Sequence, residues 1–199
     1  EGHVLAERMF EPDVTPIRAP FHGMHTVMGL FRYGEEKRAL DFMRTYWGGM
    51  LDRGAVTYWD NFSTEWPDRV LPDRQTSLCH GWAAAPAYAL PAFVLGVRPE
   101  TTGFAKVRIE PQPGWLEWAE GQVPTPRGEV AVSWHKTQRR FEIDAELPGD
   151  CKARFALPVF TGRPNRVRFD GEAVADPVVE DRRVQLEAGG GRHRIEVAV

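Results

Sequence analysis

The spacing of apolar residues changes once along this 199-residue chain, near Arg98 and Pro99. Before that point apolar residues recur every three or four positions, which is the period of an amphipathic helix. After it they alternate with polar residues, which is the period of a strand that buries one face. The sequence therefore predicts an α+β fold in two parts, with helices over residues 1–98 and an antiparallel β-sandwich over residues 99–199.

Two apolar stripes predict a helical hairpin in the first part. One stripe is formed by Met24, Val27, Met28 and Phe31, and the other by Leu40, Met43, Tyr46 and Trp47. Gly34 lies in the short segment between them, where a glycine turn joins antiparallel neighbours. A further helix is predicted within residues 83–95, and Pro91 should bend or divide it because proline removes a donor and clashes one turn back.

Alternating residues predict the strands of the second part. Three such runs are Val130, Val132 and Trp134; Phe141, Ile143, Ala145 and Leu147; and Ile195, Val197 and Val199. Glycine-containing turns separate them, as in a sandwich built from hairpins. We expect Trp115, Trp118 and Trp134 to pack in the core or between domains, and a sugar-binding platform is the alternative.

Charge and composition exclude several classes of protein. Lys and Arg number 25 against 28 Asp and Glu, giving a formal net charge of -3, so the chain provides no basic field for nucleic acid. Its apolar stretches are broken by proline and polar residues, which argues against a membrane span. Two cysteines are too few for a disulfide framework or a cysteine-rich metal site. We expect a soluble protein with no metal and no cofactor.

The most informative segment is residues 54–82, which combines aromatic rings, carboxylates and a histidine. Sugars have apolar CH faces and polar edges, so a sugar site uses flat aromatic surfaces beside carboxylates. Cleavage with inversion needs one carboxylate that deprotonates water and a second, protonated carboxyl that releases the leaving group. Asp60, which follows Trp59, is the candidate for the first role, and the alternative is a packed surface loop. Glu65 and Asp68 are expected to be solvated or paired with Arg69.

His80 and Cys79 are adjacent and could form a metal pair. The sequence offers no third ligand at a suitable spacing near them, so a hydrogen-bonding role for His80 is favoured. Cys79 is expected to be a small buried apolar residue.

Three stretches of the chain resemble the bacterial α-L-rhamnosidases of glycoside hydrolase family 78. They are YWGGMLDRGAVTYWDNF over 46–62, SLCHGWAAAPAYALPAFVLGVRP over 77–99 and LEWAEGQVPTPRGEVAVSW over 116–134, in the order and spacing of that family. The resemblance implies that residues 1–98 form the last part of an (α/α)6 six-hairpin barrel. It also implies that residues 99–199 form the C-terminal β-sandwich domain.

The resemblance also implies roles for four residues. In the family, a Gly-Ala-Thr-Thr-aromatic-Trp-Glu stretch ends in the general base of an inverting mechanism, and Asp60 occupies the position of that Glu. Asp60 is therefore the catalytic candidate, although its side chain is one methylene shorter. By the same comparison His80 hydrogen-bonds the rhamnose, and Trp59 and Trp82 form walls of the substrate pocket.

One element of the family is absent. Its general acid comes from an acidic segment in early hairpins of the barrel, and no such segment precedes Asp60 here. Six hairpins also need more than the 98 residues of the helical part, since helices average about 11–12 residues. We therefore expect a C-terminal fragment whose uncovered helices associate with the missing N-terminal part or with another copy.

The resulting hypothesis is the C-terminal part of an inverting α-L-rhamnosidase that releases terminal rhamnose from glycosides and is inactive alone. Its partners would be a rhamnoside substrate and the missing part of the enzyme, without nucleic acid or membrane, in the bacterial cytoplasm or periplasm. The alternatives are a non-catalytic carbohydrate-binding or scaffold protein derived from the family, and another six-hairpin glycosidase or lyase.

Overall fold

A computed structural model describes Val4, residues 8–11, residues 17–66 and residues 77–199. The chain forms two compact units, residues 1–89 and residues 90–199. The first is helical where it is described, and the second contains two β-sheets, so the structure is α+β as predicted. Among the helices of the described ranges, none combines the length and hydropathy needed to cross a bilayer.

The helical unit is built on the predicted hairpin. Helix α1 spans Pro20–Arg32 and helix α2 spans Glu36–Asp52. Gly34 lies between them with a φ of 75°, a left-handed conformation that glycine adopts without strain. The helices approach closely at Gly23, where an added Cβ would lie 3.0 Å from the ring of Trp47. A 3₁₀ turn over Gly81–Ala83 and the short helix α3 over Ala85–Ala89 complete the unit.

The predicted interruption at Pro91 is confirmed. The α-helical hydrogen bonds end at Ala89, and a π-helical turn spans Leu90–Val94. The N–H of Leu95 closes this turn by donating to the carbonyl of Leu90 at 2.9 Å. Gly96 follows with a φ of 87° and ends the helical path.

Eleven strands are described in the second unit. They are β1 Val97–Pro99, β2 Lys106–Ile109, β3 Trp118–Thr125, β4 Gly128–Lys136, β5 Arg140–Leu147, β6 Lys152–Pro158, β7 Arg166–Phe169, β8 Glu172–Ala173, β9 Val178–Glu180, β10 Arg183–Ala188 and β11 Gly191–Ala198. A short 3₁₀ turn over Thr102–Phe104 lies between β1 and β2. One sheet has the order β1-β2-β6-β10-β9 and the other has the order β3-β4-β5-β11-β7-β8.

The predicted alternation defines the core of the sandwich. Val130, Val132 and Trp134 of β4 are buried, as are Phe141 and Ile143 of β5. The strand pairs are antiparallel except that β2 and β6 are parallel, with Lys106 opposite Lys152. The prediction of an antiparallel sandwich therefore does not hold for this one pair of strands. Parallel strands are joined by a long crossover, so the sequence carries no local turn signal that would predict their pairing.

Of the three tryptophans expected in the core or between domains, Trp134 lies in the core, whereas interdomain packing of the other two stays a prediction. Trp134 is 3% exposed, and its Nε1 donates to the carbonyl of Val94 at 3.0 Å. Trp115 and Trp118 are 40% and 63% exposed. Trp118 lies opposite His135 rather than opposite Trp134, so it belongs to the outer face of its sheet.

Candidate functional site

The loop that follows α2 places Asp60 beside His80. Gly54 begins this loop with a φ of 81°. The N–H of Asp60 donates to the carbonyl of Ser77 at 2.9 Å, and the N–H of His80 donates to the carbonyl of Tyr58 at 2.8 Å. These two bonds hold residues 58–60 and 77–80 side by side, although the two segments are far apart in the sequence.

The buried Tyr46 anchors the same loop to α2. Its hydroxyl donates to the carbonyl of Arg18 and lies 3.3 Å from the carbonyl of Phe62. The N–H of Phe62 also donates to Arg18, at 3.0 Å. Burial raises the pKa of the Tyr46 hydroxyl, because the phenolate is poorly solvated there. The loop that carries Asp60 is therefore held by hydrogen bonds to residues 77–80 at one point and near Tyr46 and Arg18 at another.

Asp60 and His80 lie close together without a direct hydrogen bond. Oδ1 of Asp60 is 3.9 Å from Nε2 of His80, and the side chains are 27% and 41% exposed. Oδ1 is buried and has no hydrogen-bond partner among the described residues. A buried carboxylate oxygen without a partner is costly, and because the side chain as a whole is 27% exposed, the carboxylate is suited to accept a proton or a hydroxyl hydrogen bond on its accessible side.

His80 is oriented by its neighbour Trp82. Nδ1 of His80 accepts a hydrogen bond from the main-chain N–H of Trp82 at 3.3 Å. The two rings stack with their centroids 4.4 Å apart. Since Nδ1 is the acceptor, the neutral ring carries its hydrogen on Nε2, the nitrogen nearer Asp60. The pair thus offers an N–H donor next to a carboxylate acceptor.

Phe21 and His25 extend this aromatic surface. Trp82 is 44% exposed, and its ring centroid lies 5.7 Å from that of Phe21. Phe21 also meets His25 edge to face at 4.8 Å. Phe21 and its contact with His25 are not predicted by the sequence. Their spacing of four positions on α1 was the available signal, but only the tertiary structure places them beside Trp82.

The other candidate side chains differ in their exposure. Trp59 is only 2% exposed and packs near Phe62, with ring centroids 6.4 Å apart, so its role as a pocket wall stays a prediction. Glu65 is an exposed residue 3.9 Å from Arg18. Cys79 is exposed, so the expectation of burial is wrong. Asp68 and Arg69 lie outside the described residues.

A cavity of about 640 Å³ in the helical unit is lined by Phe10, Ile17, Phe42 and Thr64 among others, and its lining does not include Asp60. Within the described ranges, no three His, Cys, Asp or Glu side chains are grouped as metal ligands. The arrangement at Asp60 thus combines a carboxylate acceptor, an imidazole donor and an aromatic face.

Comparison with known proteins shows to which proteins the chain is related. Residues 96–167 match the model of the bacterial α-L-rhamnosidase C-terminal domain. The chain is 32% identical over 121 residues to an α-L-rhamnosidase of Alteromonas sp. (strain LOR), covering 59% of this chain and 13% of that protein. The chain is related to the C-terminal portion of α-L-rhamnosidases.

Solved rhamnosidase structures share the fold. An α-L-rhamnosidase from Dictyoglumus thermophilum matches 99% of this chain and 23% of its own, with a TM-score of 0.82 and 20% identity. A family 78 rhamnosidase of Bacillus sp. GL1 matches 78% of this chain and 17% of its own, with a TM-score of 0.68 and 34% identity. The predicted relation to family 78 is thus confirmed. The chain spans less than a quarter of the length of the relatives that it matches.

Proposed function

We propose that this chain contributes the general base and part of the sugar site to an inverting α-L-rhamnosidase. The observation that carries the proposal is the position of Asp60, whose buried Oδ1 has no hydrogen-bond partner among the described residues and lies 3.9 Å from Nε2 of His80. In this role the Asp60 carboxylate removes a proton from a water molecule, which then attacks the anomeric carbon of rhamnose from the face opposite the leaving group.

His80 and Trp82 would hold the sugar. The Nε2–H of His80 donates to a ring hydroxyl, because its Nδ1 already accepts from the main chain. The exposed part of Trp82 packs against the CH face of the ring. Trp59 would support the site by packing in the core beneath it, since its side chain offers almost no surface to a ligand.

The general acid would come from polypeptide outside this chain. The relatives are several times longer than the chain, and large apolar side chains of the helical unit are exposed, including Leu51 at 67% and Val56 at 95%. Such surfaces associate with other polypeptide. The partner is the remainder of the six-hairpin domain, a second copy being the alternative, and the chain alone does not hydrolyse rhamnosides.

The proposal is tested by kinetics with an aryl rhamnoside. In the longer enzyme, Asp60→Asn should lower kcat by about a hundredfold or more, because the proton acceptor is lost. Glu65→Gln is the matched control and should change kcat by less than about threefold, since Glu65 is exposed near Arg18. Equal effects of the two substitutions would remove Asp60 from the base role. Rapid turnover by the 199-residue chain alone would contradict the proposal that the general acid lies in polypeptide outside this chain.

A second candidate, a sugar-binding protein without catalysis, is favoured by the Asp at position 60. A side chain shorter by one methylene withdraws its oxygens by about 1 Å, and a displacement of that size can cost about a hundredfold in rate. Calorimetry separates the candidates, because rhamnoside binding without hydrolysis in the longer protein supports the second and refutes the first.

A further inference from the structure

The outer face of the six-stranded sheet carries a groove that the Asp60 site does not use. The groove is about 1020 Å³ in volume and is lined by Glu120, Gln122, Ser133, Asp144, Glu146 and Arg194 among others. A smaller hollow of about 200 Å³ shares Glu120, Ser133 and Asp144 with it and is bordered by Trp118. Both hollows lie entirely within the β unit, and together they are called the sheet groove.

The strand register explains why this face is hollow. Glu120 of β3 lies opposite Ser133 of β4, which lies opposite Asp144 of β5. The next row places Gln122 opposite Ala131, and Ala131 lies opposite Glu146. Serine and alanine on β4 are thus flanked by longer side chains on both neighbours. Short side chains form the floor and the longer polar ones form the walls.

An exposed aromatic ring stands at one end of the sheet groove. Trp118 is 63% exposed, and it shares the outer face with Glu120 and Gln122 because side chains alternate along β3. A tryptophan left in water beside a polar hollow presents a flat apolar surface that its own sheet does not cover. Its position suits a ligand that is apolar on one face and polar at its edges.

The charges in the sheet groove favour a neutral polar ligand. The Arg194 guanidinium lies 3.8 Å from Asp144, 3.9 Å from Glu142 and 3.9 Å from Glu196, and each of these contacts is beyond hydrogen-bond distance. Carboxylates outnumber the arginines that line the groove, so an anionic ligand would be repelled. Arg194 and Asp144, which are only loosely paired, can instead bind hydroxyl groups, whereas Glu146 accepts a hydrogen bond from Arg192 at 3.1 Å.

One wall of the sheet groove is rigidly held. The main-chain N–H of Arg194 donates to Oδ1 of Asp170 at 2.7 Å, and the N–H of Asp170 donates to the carbonyl of Arg194 at 2.8 Å. The ring of His193 bridges Oδ2 of Asp170 at 2.9 Å and the carbonyl of Gly189 at 3.0 Å. These bonds fix β11 and the turn after β7, so the wall needs little reorganisation when a ligand binds.

We propose that the sheet groove binds an oligosaccharide, with one sugar ring stacked on Trp118 and hydroxyl groups of the chain bonded to Glu120, Ser133, Asp144 and Arg194. The volume reaches the upper end of the about 300–1,000 Å³ found for small-molecule pockets, which suits more than one sugar ring. The site is non-catalytic and does not rest on the role of Asp60. It would hold a glycan chain to the protein through the β unit.

The test is a titration of the 199-residue chain with oligosaccharides, followed by amide NMR. The probes are the neutral xylan and maltose oligosaccharides, with free L-rhamnose for comparison. We expect saturable shifts at Gln122, Ser133 and Arg194 with at least one oligosaccharide. No saturation with any probe at millimolar concentration would overturn the proposal. Shifts confined to His80 and Trp82 would also overturn it, while supporting the sugar site proposed around Asp60.

Substitutions test which side chains of the sheet groove contribute to oligosaccharide binding. Trp118→Ala should weaken binding by about tenfold, the scale of a lost aromatic contact. Asp144→Asn should also weaken it, and Glu172→Gln is the matched control, because Glu172 lies exposed on β8 outside the lining of the groove. Trp118 is exposed, so its replacement removes little buried packing, and a dispersed NMR spectrum of the variant checks that it is folded. Affinities of Trp118→Ala within about twofold of the unsubstituted chain would overturn the proposal.

Discussion

Nδ1 of His80 accepts a hydrogen bond from the main-chain N–H of Trp82, and this contact decides which nitrogen of His80 faces Asp60. The neutral ring must then carry its hydrogen on Nε2. The His80 side chain caps the 3₁₀ turn, and this cap therefore determines which nitrogen of His80 is the hydrogen-bond donor in the candidate sugar site. A main-chain bond, rather than the carboxylate, orients the histidine.

The tautomer of His80 is the first prediction. Nitrogen-15 NMR of the neutral ring should show the hydrogen on Nε2. Trp82→Ala is the control, because it removes the stacked ring but keeps the N–H that donates to Nδ1, so the tautomer should persist. A hydrogen on Nδ1 in the unsubstituted chain would contradict the geometry.

Removing the hydroxyl of Tyr46 should destabilise the helical unit at neutral pH. Tyr46→Phe leaves the carbonyls of Arg18 and Phe62 without this donor, which should lower the free energy of unfolding by about 1–2 kcal/mol. Urea unfolding at neutral pH measures the loss. Tyr33→Phe is the control, because Tyr33 is 56% exposed and its substitution should change stability by less than about 0.5 kcal/mol.

The same tyrosine predicts a loss of stability in alkali. Burial raises the pKa of Tyr46 above its ordinary value of 10.0, so the unfolded chain releases this proton at a lower pH than the folded chain. The contribution of the neutral Tyr46 hydroxyl to the free energy of unfolding is complete below pH 10.0. It is lost as the pH rises above that value. The unsubstituted chain should therefore lose more stability than Tyr46→Phe between neutral pH and about pH 11. Parallel losses would show that Tyr46 is not responsible.

Gly96 and Gly171 form a matched pair for backbone strain. Both have a φ of 87°, but a Cβ at Gly96 would lie 2.4 Å from main-chain atoms of Glu110 and Pro111, whereas none lies within 4 Å at Gly171. Gly171→Ala should cost about 1–2 kcal/mol from the left-handed conformation alone. Gly96→Ala should cost about 1–3 kcal/mol more, because the main chain must move. Equal midpoints in urea would refute the close approach at Gly96.

Asp170 predicts a loss of stability in acid. Partial burial acts to raise the pKa of this carboxyl, but hydrogen bonds from the Arg194 N–H and from His193 outweigh it and lower the pKa below 3.8. A lowered folded pKa means that the stabilisation is present above pH 3.8 and is lost as the pH falls through the folded value.

The measurement compares Asp170→Asn with the unsubstituted chain by urea unfolding. At neutral pH the substitution should cost about 1 kcal/mol, a modest value because the side chain is 41% exposed and screened by solvent. The difference should shrink as the pH falls below 3.8 and the folded carboxylate becomes protonated, because the two side chains are then both neutral. Glu172→Gln is the control and should show no such convergence. A constant difference at all pH values would exclude the carboxylate as the cause.

The sequence was sufficient for the elements and for their ancestry. The stripes before Gly34 and after it predict α1 and α2, because a helix buries one face every 3.6 residues. The alternation around Val132 and Ile143 predicts β4 and β5 for the corresponding reason in strands. The family resemblance rests on contiguous stretches, which are local properties of the chain. All of these depend on residues close together in sequence.

Only the tertiary structure decided which residues meet. Asp60 and His80 lie side by side because two loop segments pair through their main chains, and no period in the sequence encodes that pairing. Trp118 and Trp134 are both alternating strand tryptophans, yet one is 63% and the other 3% exposed, because the register of β3 on β4 assigns them to opposite faces. The sheet groove also arises from that register, which places short side chains of β4 between long ones. The chain thus determines its elements locally, whereas its sites depend on contacts between distant segments.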